Sequence, residues 1–284
     1  MRIKSLINKI LATVFPPKKI VANIVSLSPT NLLIGKMALI TGGTSGIGKA
    51  IANAFLNAGA DVIITGRDAE KTQSAAKELS QKYPHRQILG IDLDNTKVET
   101  FQTKLSKIEK LIGEKHIEIL VNNAGVNSGD GYNCNEKDYD GILDTNLKGV
   151  FFLSRTITEY MIANNIQGNI LNIASSSSLR PATSPYIISK WGIRGLTVGF
   201  AKKMIKHGIV VNGLAPGPTF TPMLVKKDAK NIAIPNNPSG RFAMPEEIAN
   251  MAVILTSGLG RMVVGDIIYM TGGAGTITVD DVNY

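Results

Sequence analysis

Cysteine is nearly absent. Cys134 is the only one in 284 residues, which excludes an internal disulfide and any four-cysteine zinc site. Histidine is scarce as well: His85, His116 and His207 are scattered, and none stands in a metal-ligand spacing such as HxxxH. They read as surface or boundary residues that titrate, unperturbed, near ~6.5. Acid is missing from residues 1–35, which carry Arg2, Lys4, Lys9, Lys18 and Lys19. Without those five, the excess of 31 basic over 22 acidic residues falls from +9 to +4. The basicity belongs in part to an N-terminal extension, and the lack of an aromatic-interleaved basic stripe argues against nucleic-acid binding. No run of about 18 apolar residues exists, so no segment is expected to span a bilayer. The extension is a poor signal peptide, because lysines interrupt its apolar stretch and no small-residue cleavage site follows. The expectation is a cytoplasmic protein. Its 44% hydrophobic and 19% charged residues are ordinary for a globular enzyme.

From about Asn31 the chain alternates short β-branched runs with amphipathic stretches. The pattern predicts strands at 37–41, 61–65, 88–92, 117–122, 169–174, 209–215 and 267–270. Helices are predicted at 47–58, 68–82, 95–113, 136–164, 185–207 and 244–257. Several strands are apolar almost throughout, as expected when helices cover both faces. This alternation is the signature of an α/β, doubly wound parallel sheet. We divide the chain into a basic amphipathic extension, 1–30, and one domain, 31–284. Residues 219–240, rich in proline, asparagine and lysine, break the rhythm and read as a lid-like loop or short helical insertion. Lys226, Lys227 and Lys230 in it are either solvated or placed to meet an anionic substrate.

The first strand runs into Thr41-Gly42-Gly43-Thr44-Ser45-Gly46-Ile47-Gly48, where a helix starts. Glycines at 42, 46 and 48 permit a tight turn and let backbone N–H groups approach a pyrophosphate at the helix N-terminus. The spacing is GxxxGxG rather than GxGxxG. An NAD site places a carboxylate at the end of the second strand, roughly 20 positions on, to hold the ribose 2′-hydroxyl. Here Ile64-Thr65-Gly66-Arg67 has glycine in that place and arginine next. A guanidinium suits a 2′-phosphate, so the pair points to NADP(H). The plain alternative is a surface arginine at a strand end.

Tyr186-Ile187-Ile188-Ser189-Lys190 opens a helix after Ser184 and Pro185, a suitable N-cap and first helical residue. Spacing of four puts phenol and ammonium on one face. A phenol of pKa ~10 is a poor acid–base group at neutral pH, and a nearby cation lowers that value. Any YxxxK on a helix has this geometry. The motifs around it decide the matter: TGGTSGIG (41–48), Asp92 after the third strand, NNAG (122–125) and Asn146 within LDTNLKGVF. PGPTFT (216–221), PEEIA (245–249) and TGG (271–273) follow in order. On these motifs the chain resembles a short-chain dehydrogenase/reductase from about Leu33 to its C-terminus, with 3-oxoacyl-carrier-protein reductases as the family's commonest label.

The resemblance implies a Rossmann-like, seven-stranded parallel sheet and hydride transfer between NADP(H) and a carbonyl/alcohol pair. It implies that Tyr186 is the general acid/base and that Lys190 holds the nicotinamide ribose and lowers the tyrosine pKa. Asn146 would anchor a water in a proton relay, and a serine after the fifth strand would hydrogen-bond the substrate oxygen. Gly42, Thr44, Ser45, Gly46, Ile47, Gly48 and Arg67 would hold the cofactor's phosphates. Asp92 would meet the adenine and Asn123 would lie beside the cofactor. Pro216, Gly217, Thr219 and Thr221 would border the nicotinamide. Family members usually separate the serine and tyrosine by about thirteen positions. Here Ser175 stands only eleven before Tyr186, and Ser176, Ser177 and Ser178 follow it at once. The resemblance further implies a homotetramer or homodimer built through 136–164 and 185–207. The substrate is left open between a ketone of 3-oxoacyl type and a sugar or other small polar alcohol. A non-catalytic NADP(H) sensor or scaffold is the reading of another class, and the full Asn146, Tyr186 and Lys190 set speaks against it.

The extension falls outside the family pattern. Ile3, Leu6, Ile7, Ile10, Leu11 and Val14 recur along one face of a helix, and Pro16-Pro17 ends it. Residues 2–15 would either lie on an anionic membrane surface or pack on the enzyme's own body or a neighbouring subunit.

Overall fold

A computed structural model describes residues 31–127, 131–224 and 231–277. The extension and Lys226, Lys227 and Lys230 lie outside the described residues. Seven strands form one parallel sheet: β1 (Met37–Thr41), β2 (Asp61–Gly66), β3 (Ile88–Asp92), β4 (Ile117–Asn122), β5 (Asn169–Ile173), β6 (Val210–Pro216) and β7 (Ile267–Met270). Their spatial order is β3-β2-β1-β4-β5-β6-β7. The chain winds outward from β1 in one direction, then returns to begin again at β4. That reversal creates a crevice beyond the carboxyl ends of the central strands.

Helices α1 (Gly46–Asn57), α2 (Ala69–Lys82) and α7 (Pro245–Thr256) cover one face. Helices α3 (Phe101–Ile112), α5 (Gly149–Ala163) and α6 (Pro185–Met204) cover the other, and α4 (Glu136–Leu143) leads into α5. Strand alternation explains the apolar runs. Ala38 and Ile40 pack with Phe55 and Ile51 of α1, while Met37 and Leu39 pack with the core that holds Phe101 and Ile108 of α3. No helix among the described residues is long and apolar enough to cross a membrane.

Two helical predictions need correction. The stretch 95–113 becomes helical only at Val98, first as a 3₁₀ turn, because Asp94 Oδ1 accepts from both the backbone N–H and the hydroxyl of Thr96 and holds a turn there. The stretch 136–164 is broken at Asp144–Lys148 by a π turn, a wide turn that interrupts the i→i−4 ladder. Asn146 sits in it.

A buried amide chain crosses the sheet behind the crevice. Asn122 of β4 donates to Ser154 Oγ of α5 (2.9 Å) and to Asn172 Oδ1 of β5 (2.8 Å). Asn172 in turn donates to Thr197 Oγ1 of α6 (2.9 Å). Residues 219–240 contain no helix among those described. They leave and rejoin the domain through bridges pairing Thr219 with Ala243 and Ala233 with Arg241. Arg241 grips Glu247 through two nitrogen–oxygen contacts, 2.8 and 2.7 Å. The guanidinium holds the Glu247 carboxyl below the usual carboxylate range, and Glu247 also accepts from the Met244 N–H at the start of α7.

Candidate active site

One cleft of about 550 Å³ opens along the carboxyl ends of β1, β2, β4, β5 and β6. It gathers nearly all the residues singled out from the sequence. Gly42, Thr44, Ser45, Gly46 and Ile47 line it after β1, Arg67 after β2, and Asn123 after β4. Ser175 lines it after β5, Tyr186 and Lys190 from α6, and Pro216, Gly217, Thr219 and Thr221 after β6. Gly48, Asp92 and Asn146 do not line it.

The glycine turn is shaped for an anion. Gly42 and Gly46 hold φ of +65° and +53°, the left-handed region that favours glycine. Ser45 takes the N-cap position of α1 without a side-chain cap bond, and the first turn holds no acid. The N-terminal amides of α1 are therefore unclaimed by any capping side chain and suit a phosphate. Asn123 does more than border this turn. Its amide donates to Thr41 O (2.9 Å) and Gly42 O (3.2 Å), and Thr41 Oγ1 accepts from the N–H groups of Asn123 and Ala124, each at 3.0 Å. Turn and β4 loop are one hydrogen-bonded unit. Gly48 backs it: a Cβ there would collide with Gly42 O and Asn123 Nδ2. Gly48→Ala is therefore expected to cost about 1–3 kcal/mol of stability and to weaken nucleotide binding. Urea unfolding and calorimetric titration check the two effects separately.

Arg67 is exposed and forms no hydrogen bond or ion pair among the described residues. Asp92 is placed differently from the expectation. Its carboxylate pairs with Lys104 Nζ of α3 at 2.5 Å, which holds its pKa below the usual value, and the cleft is lined instead by Leu93, Asp94 and Asn95. These three were legible only through the general rule that ligands sit beyond strand carboxyl ends. Val126 and Asn127, beyond β4, follow the same rule, while Thr145 of the π turn and Met223 and Leu224 of the lid-like stretch 219–240 also line the cleft.

The helix bearing the tyrosine begins as the sequence suggests. Ser184 Oγ accepts from Ile187 N (3.3 Å), and Pro185 occupies the first turn. Lys190 lies 5.6 Å from the centre of the Tyr186 ring and donates to Ile173 O at 2.9 Å. Burial lowers its pKa from 10.5 to about 8, because the charged form loses its water. Asn146 is buried, and its amide is fully engaged. Oδ1 accepts from Val126 N (2.8 Å), while Nδ2 donates to Val126 O (2.8 Å) and Ser189 Oγ (3.3 Å). Ser189 Oγ donates to Tyr186 O at 2.7 Å, so the π turn is tied to the first turn of α6.

Ser175 stands at the end of β5 as the N-cap of a 3₁₀ turn, Ser176–Leu179. Its Oγ accepts from Ser177 N (3.1 Å), and its own hydrogen has no acceptor among the described residues. Ser176 and Ser177 also line the cleft, but Ser178 does not. Ser178 is instead fully buried, within the 3₁₀ turn that follows Ser175.

This sheet order, cleft and side-chain set define an oxidoreductase site on a nucleotide-binding fold. The chain matches the short chain dehydrogenase family over residues 36–232. It belongs to that family, whose members bind a nicotinamide cofactor and act on carbonyl or CH–OH groups. It is 33% identical over 246 residues to the 3-oxoacyl-[acyl-carrier-protein] reductase of Aquifex aeolicus, covering 85% of this chain and 98% of the relative. It is 32% identical over 248 residues to gluconate 5-dehydrogenase of Gluconobacter oxydans, covering 85% and 95%. A crystal structure of a short chain dehydrogenase from Burkholderia cenocepacia in complex with NADP superposes with a TM-score of 0.75 at 28% identity, covering 86% of this chain and 99% of that one.

Proposed function

We propose that the protein reduces a ketone to a secondary alcohol with NADPH. The observation that carries this reading is that Ser175, Tyr186 and Lys190 line one cleft together with the glycine turn and its helix N-terminus, which no side chain caps. The bound nicotinamide supplies the hydride. Tyr186 gives its phenolic proton to the carbonyl oxygen, and in reverse takes it from the alcohol. Ser175 donates its free hydroxyl hydrogen to the same oxygen and so orients the carbonyl. Lys190 holds the ribose hydroxyls and, when charged, favours the phenolate of Tyr186. Asn146 has no amide hydrogen left for a water, so its part in proton delivery falls to its backbone carbonyl in the π turn, with its side chain fixing that turn.

The 2′-phosphate is assigned to Arg67, with Gly66 rather than a carboxylate at the end of β2. Arg67→Ala is expected to lower affinity for NADPH on the order of 10- to 100-fold, the equivalent of about 1.5–3 kcal/mol for a charged hydrogen bond. Affinity for NADH should stay unchanged. Equal calorimetric affinities of the unaltered protein for the two nucleotides would refute the assignment.

For the substrate, a 3-oxoacyl thioester is the first reading, in line with the Aquifex relative. The hydroxyls of Ser175 and Ser177 with Asn127 on the cleft wall favour a second, a keto sugar or its acid. Following NADPH absorbance with a 3-oxoacyl thioester, a simple ketone and a keto sugar acid separates them. No oxidation with any carbonyl, together with nucleotide binding, would instead support a sensor. Exposed Phe151 of α5 and Trp191 and Val198 of α6 form the apolar surface through which we expect homodimers or homotetramers.

A further inference from the structure

Ser178 is the member of the serine run that the proposed chemistry leaves unused. It is fully buried, yet its hydroxyl is doubly engaged. Oγ donates to the Ser175 carbonyl at 2.8 Å and lies 3.3 Å from the phenol oxygen of Tyr269. A serine hydroxyl has one hydrogen, and Ser175 O can only accept it. The phenol must therefore be the donor at the second contact. The direction is Tyr269 O–H to Ser178 Oγ, then Ser178 O–H to Ser175 C=O, an arrangement in which each bond polarises the next.

Both ends of this chain are anchored. Tyr269 belongs to β7 and packs against the small core of Ala174, Ile193 and Ala215. The Ser175 carbonyl accepts a second hydrogen, from Ser178 N at 3.0 Å, so the peptide plane after Ser175 is held twice. Ser177 N then holds Ser175 Oγ itself. Farther along, Trp191 Nε1 donates to Arg180 O at 2.7 Å, which fastens the end of the turn to α6 one residue beyond Lys190. With backbone and Oγ both fixed, the remaining freedom of Ser175 is the rotation of its hydroxyl hydrogen.

We propose that Ser178 and Tyr269 are positioning residues: together they clamp the 3₁₀ turn to β7 and set the direction in which Ser175 presents its hydroxyl beside Tyr186. The inference rests on the reading of Ser175 as hydrogen-bond donor to the substrate oxygen.

The test uses the full chain, NADPH and the carbonyl compound turned over fastest in the substrate comparison. Ser178→Ala and Tyr269→Phe are made singly, together, and each in a Ser175→Ala background. Each single change is expected to lower kcat about fivefold, the rate equivalent of one neutral hydrogen bond. KM for NADPH should not move, and the double variant should lose no more than the worse single one. In the Ser175→Ala background neither change should lower kcat further, because the residue they act through is already gone. The same fivefold drop in that background would show a merely structural role and overturn the proposal. Unchanged kcat in Ser178→Ala, alongside an impaired Ser175→Ala, overturns the clamp alone. An unimpaired Ser175→Ala would overturn the reading of Ser175 and the clamp with it. Should Ser178→Ala fail to fold, Tyr269→Phe, at a half-buried position, carries the same comparison.

Discussion

Replacing Tyr186 by Phe is expected to lower turnover on the order of 10²–10⁴-fold, the range over which a positioned proton donor acts. The substitution removes one oxygen and keeps the ring. The face that Lys190 approaches at 5.6 Å survives, as does the Tyr186 carbonyl that accepts from Ser189. Nucleotide affinity, which depends on the β1 turn, should therefore change little. Stopped-flow measurement of NADPH oxidation at saturating substrate separates the two quantities. Turnover near that of the unaltered enzyme would mean that another group moves the proton.

Lys190→Met is expected to have opposite effects on catalysis and on pH-dependent stability. It removes the cation that favours the phenolate, with a loss of turnover again on the order of 10²–10⁴. It also removes a buried charge. Lys190 titrates near 8 in the folded protein, against 10.5 for an ordinary lysine, because of desolvation. Between those two values the unfolded chain binds the proton more tightly than the folded one. Stability must then rise with pH across that window. The penalty is present in full below pH 8 and is released by about pH 10.5, a gain of roughly 3 kcal/mol for this one group. Urea unfolding of the nucleotide-free protein at several pH values should show the rise, and Lys190→Met should lack it. Identical pH dependence in the two proteins would show that the ammonium is not desolvated.

Much of this architecture is written in local pattern. Strands such as 37–41 and 117–122 are legible because an uninterrupted aliphatic run between turn residues suits only a strand covered on both sides. Tyr186 and Lys190 are legible because four residues on a helix make one face, and Ser184-Pro185 marks where that helix begins. What escapes is set by partners distant in sequence. Nothing around Asn146 distinguishes a π turn from an ordinary one. That turn is held by Val126, twenty positions earlier, and by Ser189. Asp92 stands in the expected place at the strand end, but Lys104 of α3 takes its carboxylate. The serine run is visible as composition only. Which hydroxyl faces the cleft and which faces β7 follows from the 3₁₀ turn and from Tyr269, ninety-one positions away.

The buried amides of Asn122 and Asn172 bear on a different problem, how parallel aliphatic strands find one alignment. Ile-Glu-Ile-Leu-Val-Asn and Asn-Ile-Leu-Asn-Ile are so alike along their length that hydrophobic burial alone distinguishes poorly between neighbouring pairings. A slip of two residues would keep every side chain on its own face. In the native pairing Asn122 stands directly opposite Asn172, and the two amides meet only there. Displaced, each amide would face aliphatic neighbours, as would Ser154 and Thr197 on the helices. Every stranded group would cost about 1–3 kcal/mol. The chain of amides thus acts as a key that closes in a single position. Because Asn123 directly follows β4 and Ser175 lies just past the end of β5, the same key aligns the nucleotide turn with the serine that shares its cleft.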